Sequence, residues 1–160
     1  MFLENFKCLT SLILDHNMID ANVVFPKMQT VTLLWLNYND IRNLDPFIRL
    51  LHSSFPSLKQ LSLMGNEIVP PCREDTFYYY IQYRMYVLSW FRNLEHLDDR
   101  SVCQYELEEA QRIYKRPLLD RIQSTSLPKM FQTSLNVLKQ LISWDTTTSN
   151  ETERYHSSVV

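Results

Sequence analysis

The sequence contains a single glycine, Gly65, in 160 residues. Loops that cradle phosphates and fingerprints that bind dinucleotides need several glycines at fixed spacing, so both classes of site are excluded. Cysteine is also scarce: Cys8, Cys72 and Cys103 stand at spacings that fit neither a disulfide framework nor a zinc site. The cysteine pattern predicts a chain from a reducing, intracellular compartment.

Charge of one sign and long hydrophobic runs are missing as well. The net charge is −2 with histidine neutral, so there is no strong field to attract nucleic acid or an anionic membrane. No apolar run approaches the roughly 18 residues of a membrane span, and the N-terminus has no signal-peptide layout. We therefore expect a cytoplasmic protein without membrane insertion and without direct binding of nucleic acid.

Constellations typical of catalysis or metal binding are lacking too. The four histidines lie on separate segments, and no pair has the spacing of metal ligands. Nucleophilic catalysis needs a base and an orienting group within hydrogen-bond reach, and the sequence predicts no such arrangement. Paired carboxylates are interpreted as part of a cap (Asp98-Asp99) and as a solvated helix face (Glu108-Glu109). We predict a non-enzymatic protein with no metal and no cofactor.

An internal repeat is the strongest positive signal. The pattern L-x-x-L-x-L-x-x-N-x-L, with Val and Ile allowed for Leu, is filled completely by three segments, which begin at Leu9, Val31 and Leu58. They read LTSLILDHNMI, VTLLWLNYNDI and LKQLSLMGNEI. Three blocks in register predict a repeated structural unit. An aligned apolar residue also lies three places before each block: Phe6, Met28 and Phe55.

Each block predicts a short strand followed by a turn. The L-x-L core alternates with a period of two, so both leucines of the strand should face inward. The asparagine follows where the chain turns, and its amide can bond to the backbone groups that the turn exposes. Stacked repeats would align these amides into a structural ladder of Asn17, Asn39 and Asn66.

The connections between the blocks differ in length. After the second block, Asp45 is predicted as a helix N-cap and Pro46 as the first helical residue. Phe47, Leu50 and Leu51 follow at the spacing of one apolar helix face. The first connection is shorter and is predicted to be extended or 3₁₀-helical.

The segment from Tyr83 to Val102 resembles the C-terminal cap of leucine-rich-repeat proteins. It departs from the usual cap at Phe91 and Arg92, near which a proline is common. A charged helix from Glu106 to Pro117 is expected next. The resemblance covers about residues 6–116 and implies a mixed α/β fold: a short right-handed solenoid with parallel strands on its concave face and a helical cap. The residues that match the cap pattern are Tyr83, Arg84, Val87, Leu88, Leu94, Leu97, Asp98 and Val102.

Within these proteins, the segment PSLKQLSLMGNEIVPP and the cap most resemble the leucine-rich melanocyte differentiation-associated family, and next the spliceosomal A-prime family. The first resemblance implies an adaptor in endosomal or melanosome-type vesicle trafficking, recruited to endosomes or lysosome-related organelles. It also implies a Rab-type small GTPase and an endosomal sorting complex as partners. The alternatives are a nuclear or spliceosomal scaffold that binds an RNA-binding protein, and a cytoskeletal or ciliary assembly scaffold.

Residues between the inward leucines should point to the concave face, where solenoids bind their partners. Ile13, Leu33, Trp35 and Tyr38 would form an exposed apolar and aromatic cluster there, which is typical of an interface. The alternative is that another part of the chain covers this cluster. We call the nine predicted partner-binding residues the strand surface: Ile13, Asp15, His16, Leu33, Trp35, Asn37, Tyr38, Gln60 and Met64.

We predict a repeat domain at residues 1–116, with repeats near 6–27, 28–54 and 55–82 and a cap at 83–116, and a tail at 117–160. Little sequence precedes the first repeat, so we expect an N-terminal extension, a partner or a second copy to cover its open side. The tail predicts an amphipathic helix near 128–144, packed on the domain or bound to a partner, and a disordered end. The apolar stripe of this helix comprises Phe131, Leu135, Leu138, Leu141 and Ile142.

Overall fold

A computed structural model describes residues 2–114. The chain divides into two compact units, Met1–Lys115 and Arg116–Val160, and the description below concerns the first. The predicted tail helix and its five partner-binding residues lie outside the described residues. The elements, in chain order, are a 3₁₀ helix at Phe2–Asn5, β1 at Ser11–Ile13, β2 at Leu33–Trp35, α1 at Leu44–Ser54, β3 at Gln60–Ser62, α2 at Phe77–Trp90, β4 at His96–Leu97, β5 at Arg100–Ser101 and α3 at Gln104–Tyr114.

The sheet takes one strand from each predicted repeat and two from the cap. Its order is β1-β2-β3-β4-β5. The first four strands are parallel and β5 is antiparallel to β4. The predicted mixed α/β class, with parallel strands and helices, is therefore confirmed. None of the helices within residues 2–114 combines the length and apolar character that crossing a membrane requires.

The core lies behind the sheet and is built from the inward leucines of the repeats. Leu34 and Leu36 of the second repeat are fully buried, as is Leu63 of the third. The first repeat is less well covered, because β1 is the edge strand of the sheet. Phe6 is 43% exposed, whereas its counterparts Met28 and Phe55 are buried. Its sequence alignment with these two residues therefore does not predict its burial.

Helix α1 differs from its prediction at its start and on its buried face. It begins at Leu44 with Asn43 in the N-cap position, so Asp45 lies inside the first turn. There the Asp45 carboxylate accepts hydrogen bonds from the Tyr86 hydroxyl and from Arg49, which lower its pKa. The buried face includes Ile48, whereas Leu50 is only half-buried. Pro46 is tolerated because the first N–H groups of a helix have no intrahelical partner.

The cap contains two helices, and the second begins earlier than predicted. Helix α2 starts at Phe77, so the expected boundary between the third repeat and the cap falls inside it. Helix α3 starts at Gln104 rather than at Glu106. Glu109, which was assigned to a solvated face, is 6% exposed, and Glu106 is 5% exposed. These carboxylates are buried because arginines pair with them: Arg84 with Glu106 and Arg112 with Glu109.

The asparagine amides connect each repeat to the one before it. Asn39 Oδ1 accepts hydrogen bonds from the backbone N–H groups of Asn17 and Ile19, at 2.9 and 3.0 Å. Asn66 Oδ1 does the same for Asn39 and Ile41, at 3.2 Å each. Both amides also donate to the Leu36 carbonyl, at 2.9 and 2.8 Å. The amides thus satisfy backbone groups of the turns that no strand could reach.

Asn17 is the exception in this ladder. It is exposed, and its amide donates to the Asp15 carbonyl at 2.9 Å. Among the described residues no group donates to its Oδ1. In Asn39 and Asn66 this oxygen accepts from the repeat before, whereas Asn17 lies in the first of the described repeats.

Replacing Asn39 by alanine should lower the free energy of unfolding by about 1–3 kcal/mol, because buried backbone groups lose their partners. The matched change, Asn17→Ala, removes one exposed hydrogen bond and should cost less than about 0.5 kcal/mol. Urea unfolding of both variants measures the difference. Equal losses at the two positions would show that the amides do not act as a ladder.

Candidate functional site

The outward-facing residues of the parallel strands lie in two rows across the sheet. The first row pairs Ser11 with Leu33, Leu33 with Gln60, and Gln60 with His96. The second pairs Ile13 with Trp35, and Trp35 with Ser62. Side chains at directly paired positions lie on the same face at close distance. The pairing therefore brings the strand residues of the strand surface together on one face.

Three large apolar side chains of this surface are exposed. Ile13 and Tyr38 are each 57% exposed and Trp35 is 39% exposed. Leu33 is half-buried beside them. Large exposed aromatic residues that are clustered, rather than scattered singly, are typical of binding surfaces. The cluster predicted from the sequence therefore exists among the described residues.

One polar residue of the strand surface, Asn37, is more deeply buried than expected for a residue that contacts a partner. Asn37 is only 6% exposed. Its backbone N–H and its side-chain amide donate to the two carboxylate oxygens of Asp15, at 2.8 and 3.2 Å. Its Oδ1 accepts from the Ser62 hydroxyl at 2.6 Å. Asn37 therefore positions Asp15 and is too buried to contact a partner extensively, which corrects its assignment as a contact residue.

The rim of the surface is an aromatic stack held by an unusual backbone. The rings of His16 and Tyr38 are parallel within 8°, with centroids 4.6 Å apart. Their backbones are left-handed, with φ of 58° and 53°, and Gly65 has φ of 74°. These three residues occupy the same place in their repeats, immediately before the ladder asparagine. The repeat turn thus demands positive φ, which only glycine adopts without strain.

Gly65 has a second role that sequence analysis missed. A Cβ atom at this position would lie 2.4 Å from Cδ1 of Tyr38, so the absence of a side chain allows the Tyr38 ring to lie over the third repeat. Tyr38 is thereby held between His16 and Gly65. The sequence could have indicated this role, because its only glycine occupies the position in the third repeat that His16 and Tyr38 occupy in the first two.

The other four residues of the strand surface are partly or fully accessible. Asp15, Gln60 and Met64 are half-buried and His16 is exposed. The backbone N–H of Tyr38 donates to the Met64 carbonyl at 2.8 Å, which places Met64 next to the rim. His96 lies at the far end of the first row, with Nε2 3.3 Å from the Ser101 hydroxyl. The sheet thus brings eight of the nine predicted residues to positions that a partner can reach.

The cap closes the sheet next to this surface. The Asp98 carboxylate accepts from the Leu63 backbone N–H at 2.8 Å and from the Tyr83 hydroxyl at 3.0 Å. Burial raises the pKa of Asp98, and these two hydrogen bonds oppose the shift. Burial, followed by the Asp98 charge, raises the pKa of Tyr83 well above its usual value. Asp98 is thus used internally to join α2 to the end of β3.

A concave feature lies along α3. It is a groove of about 500 Å³ lined by Arg92, Gln104, Leu107, Glu108, Gln111 and Arg112. Three of the lining residues have partners within the helix: Gln104 donates to Glu108 at 3.0 Å, and Arg112 pairs with Glu109. No three His, Cys, Asp or Glu side chains within residues 2–114 are arranged to hold a metal ion. The strand surface is the better candidate, because Ile13, Trp35 and Tyr38 expose large apolar side chains there.

The chain is similar in sequence to curated leucine-rich-repeat proteins. It is 36% identical over 115 residues to the human leucine-rich melanocyte differentiation-associated protein, across 68% of this chain and 56% of that protein. It is 36% identical over 108 residues to leucine-rich repeat-containing protein 36 of mouse and of human, across 68% of this chain and 13% of each relative. The chain therefore spans about half the length of the first relative. No protein-family model matches the chain.

Two solved structures are also similar. A chain from the structure of the Chaetomium Mex67:Mtr2 subunits has a TM-score of 0.44 and 20% identity, over 65% of this chain and 63% of that chain. A chain from the crystal structure of the Drosophila melanogaster SNF/U2A′ complex has a TM-score of 0.43 and 18% identity, over 74% of this chain and 75% of that chain. From its three repeats, their paired strands and its curated relatives, the chain belongs to the leucine-rich-repeat proteins.

Proposed function

We propose that the chain is a non-enzymatic interaction scaffold that binds another protein through the strand surface. The observation that carries this proposal is the exposed cluster of Ile13 and Trp35, which are paired on adjacent strands, and Tyr38, which lies in the turn after β2. Burying these side chains against a partner would remove a large apolar area from water, and this is the main driving force of association. Tryptophan and tyrosine are also the residues that most often dominate binding energy at interfaces.

We further propose that the repeats coil as a short right-handed solenoid with the sheet on its concave side. Three observations support this arrangement. The strands follow one another in chain order and are parallel, the connections contribute buried residues such as Met28 and Phe47 to the core, and α1 contacts α2. A concave sheet would surround a partner segment with the residues of several repeats at once, which is how repeat proteins build extended binding surfaces.

The cellular role that we propose is that of an adaptor in endosomal or melanosome-type vesicle trafficking, recruited to these organelles from the cytoplasm. The support is the similarity to the human melanocyte differentiation-associated protein. A Rab-type small GTPase is the partner that we assign to the strand surface, and an endosomal sorting complex is assigned as a further partner. Both remain part of this proposal.

Replacing Trp35 by glutamate should remove at least about 90% of partner capture, because a charge in the centre of an apolar interface must be desolvated. The measurement is affinity capture from native lysate followed by mass spectrometry. Tyr79→Glu is the control, since Tyr79 is an exposed aromatic residue, at 59%, on α2. Both variants should unfold at the same urea concentration as the parent chain, because neither side chain is buried in the core.

The identity of the lost partners decides the cellular role. A small GTPase lost with Trp35→Glu, retained with Tyr79→Glu and dependent on bound GTP supports the adaptor. An RNA-binding protein, tubulin or dynein in its place supports one of the alternative scaffolds and rejects the trafficking role. Partners that are unchanged by Trp35→Glu would reject the strand surface as the binding site.

A further inference from the structure

We infer that the partner presents an arginine or lysine, flanked by apolar residues, to the strand surface. This inference rests on the proposed function, because it names the chemistry of the segment that the same surface would bind. Its basis is the distribution of charge around the exposed aromatic cluster. In this inference, the charge on the surface determines which partners are selected, and the apolar cluster supplies the affinity for any partner.

The strand surface and its two rows contain one carboxylate, Asp15, and no lysine or arginine. Asp98 follows β4 next to this surface, and its carboxylate accepts from the Leu63 N–H and the Tyr83 hydroxyl. The described residues as a whole carry 10 Lys and Arg against 14 Asp and Glu. The face is thus negative locally as well as globally, which favours a basic partner and disfavours an acidic one.

Two basic residues that lie close in sequence to the strands, Lys59 and Arg42, have acidic partners. Lys59 precedes β3, and its Nζ lies 2.7 Å from Oε1 of Glu95. Arg42 follows the second ladder turn and lies 3.5 Å from Glu67. The positive charge of each is therefore neutralised by a carboxylate other than Asp15. Asp15 has no arginine or lysine partner among the described residues, so its charge is available to a cation from outside.

Asp15 is also held in one orientation. The two Asn37 donors fix both of its oxygens, at 2.8 and 3.2 Å, and each oxygen can accept a further hydrogen bond. Since the carboxylate is already ordered, binding would cost little conformational entropy at this side chain. A guanidinium group is particularly suitable, because its planar fork can bind both carboxylate oxygens at once.

The apolar neighbours of Asp15 match the rest of such a side chain. Ile13 lies two residues before it on the same face of the chain, and Ile13 is paired with Trp35. The His16–Tyr38 stack begins at the next residue along the chain. A cation bound at Asp15 would therefore lie beside aromatic faces, which attract cations, while its aliphatic stem and its apolar neighbours cover Ile13 and Trp35.

The inference can be tested by selecting peptides from a phage-displayed random library on the full chain. Peptides are selected on the parent chain, and those that also bind Trp35→Glu are discarded. We expect the remaining peptides to be enriched in arginine or lysine next to apolar residues. For one such synthetic peptide, Asp15→Asn should weaken binding by about tenfold, because a charge-assisted hydrogen bond is lost. Glu108→Gln, at an exposed carboxylate on α3 of the cap, should leave the affinity unchanged.

Because Asp15 also accepts from Asn37, the fold is checked by the urea midpoint of Asp15→Asn, and a second measurement changes only the ligand. Replacing the arginine or lysine of the peptide by glutamine should cause a similar loss on the parent chain. Peptides that need Trp35 but are neutral or acidic, or that tolerate this glutamine, would overturn the inference and leave the proposed function standing. The absence of any peptide that needs Trp35 would overturn both.

Discussion

Replacing Arg84 by alanine should lower the free energy of unfolding by about 3–5 kcal/mol, because it leaves a buried carboxylate without its partner. Arg84 is 1% exposed. Its Nε and Nη2 donate to the two oxygens of Glu106, at 2.9 and 3.2 Å, and its Nη1 donates to the Leu97 carbonyl at 3.1 Å. Burial lowers the pKa of Arg84, but the Glu106 charge more than compensates, so the pKa is raised overall.

The size of this effect follows from the position of Arg84 at a junction of three elements. It lies on α2, contacts the end of β4 through Leu97, and holds α3 through Glu106. Glu106 Oε2 also accepts from the Cys103 backbone N–H at 3.0 Å, which caps the start of α3. Removing the guanidinium therefore weakens the attachment of α3 as well as the charge balance.

Urea unfolding with a double-mutant cycle measures this coupling. Arg84→Ala, Glu106→Ala and the double variant should show strong non-additivity, because the second change removes the charge that the first left unpaired. The matched control is Arg42→Ala, whose ion pair with Glu67 has side-chain exposures of 70% and 73% and should contribute at most about 1 kcal/mol. Comparable losses for Arg84→Ala and Arg42→Ala would contradict the conclusion that Arg84 joins α2, β4 and α3 through its buried contacts.

Replacing Leu36 by alanine should cost about 2–5 kcal/mol of unfolding free energy, as expected for a leucine buried in a packed core. Leu36 is fully buried, and its backbone carbonyl accepts from both the Asn39 and the Asn66 amides. The cavity would therefore open where the core meets the asparagine ladder. The matched control is Leu33→Ala, three residues earlier on the outward side of β2 and half-buried, which should cost less than about 1.5 kcal/mol.

Thermal or urea unfolding of the two leucine variants tests the register of the repeat directly. A strand side chain faces either the core or the outer face, and a shift of one residue exchanges the two sets. A loss below about half a kcal/mol for Leu36→Ala would show that the register is wrong. So would a loss for Leu33→Ala that exceeds the loss for Leu36→Ala.

The sequence alone was sufficient for the repeat and for the alignment of its strands. Three complete matches to one pattern place Leu12, Leu34 and Leu61 in equivalent positions, and these residues are direct neighbours in the sheet. A repeat carries this information because each unit makes the same contacts with the next, so a local pattern specifies contacts that are distant in the chain. The exposed positions of Ile13 and Trp35 follow from the same alternation.

Only the tertiary structure decided which polar residues are used internally. Nothing near Glu106 in the sequence indicates burial, because its partner Arg84 is 22 residues away on another helix. Asn37 likewise reads as an outward residue, yet Asp15 and Ser62 enclose it from the strands on either side. The sequence by itself thus determined the fold class and the apolar surface, since both depend on periodic burial. The fate of each charge and amide depends on partners that only folding brings within hydrogen-bond distance.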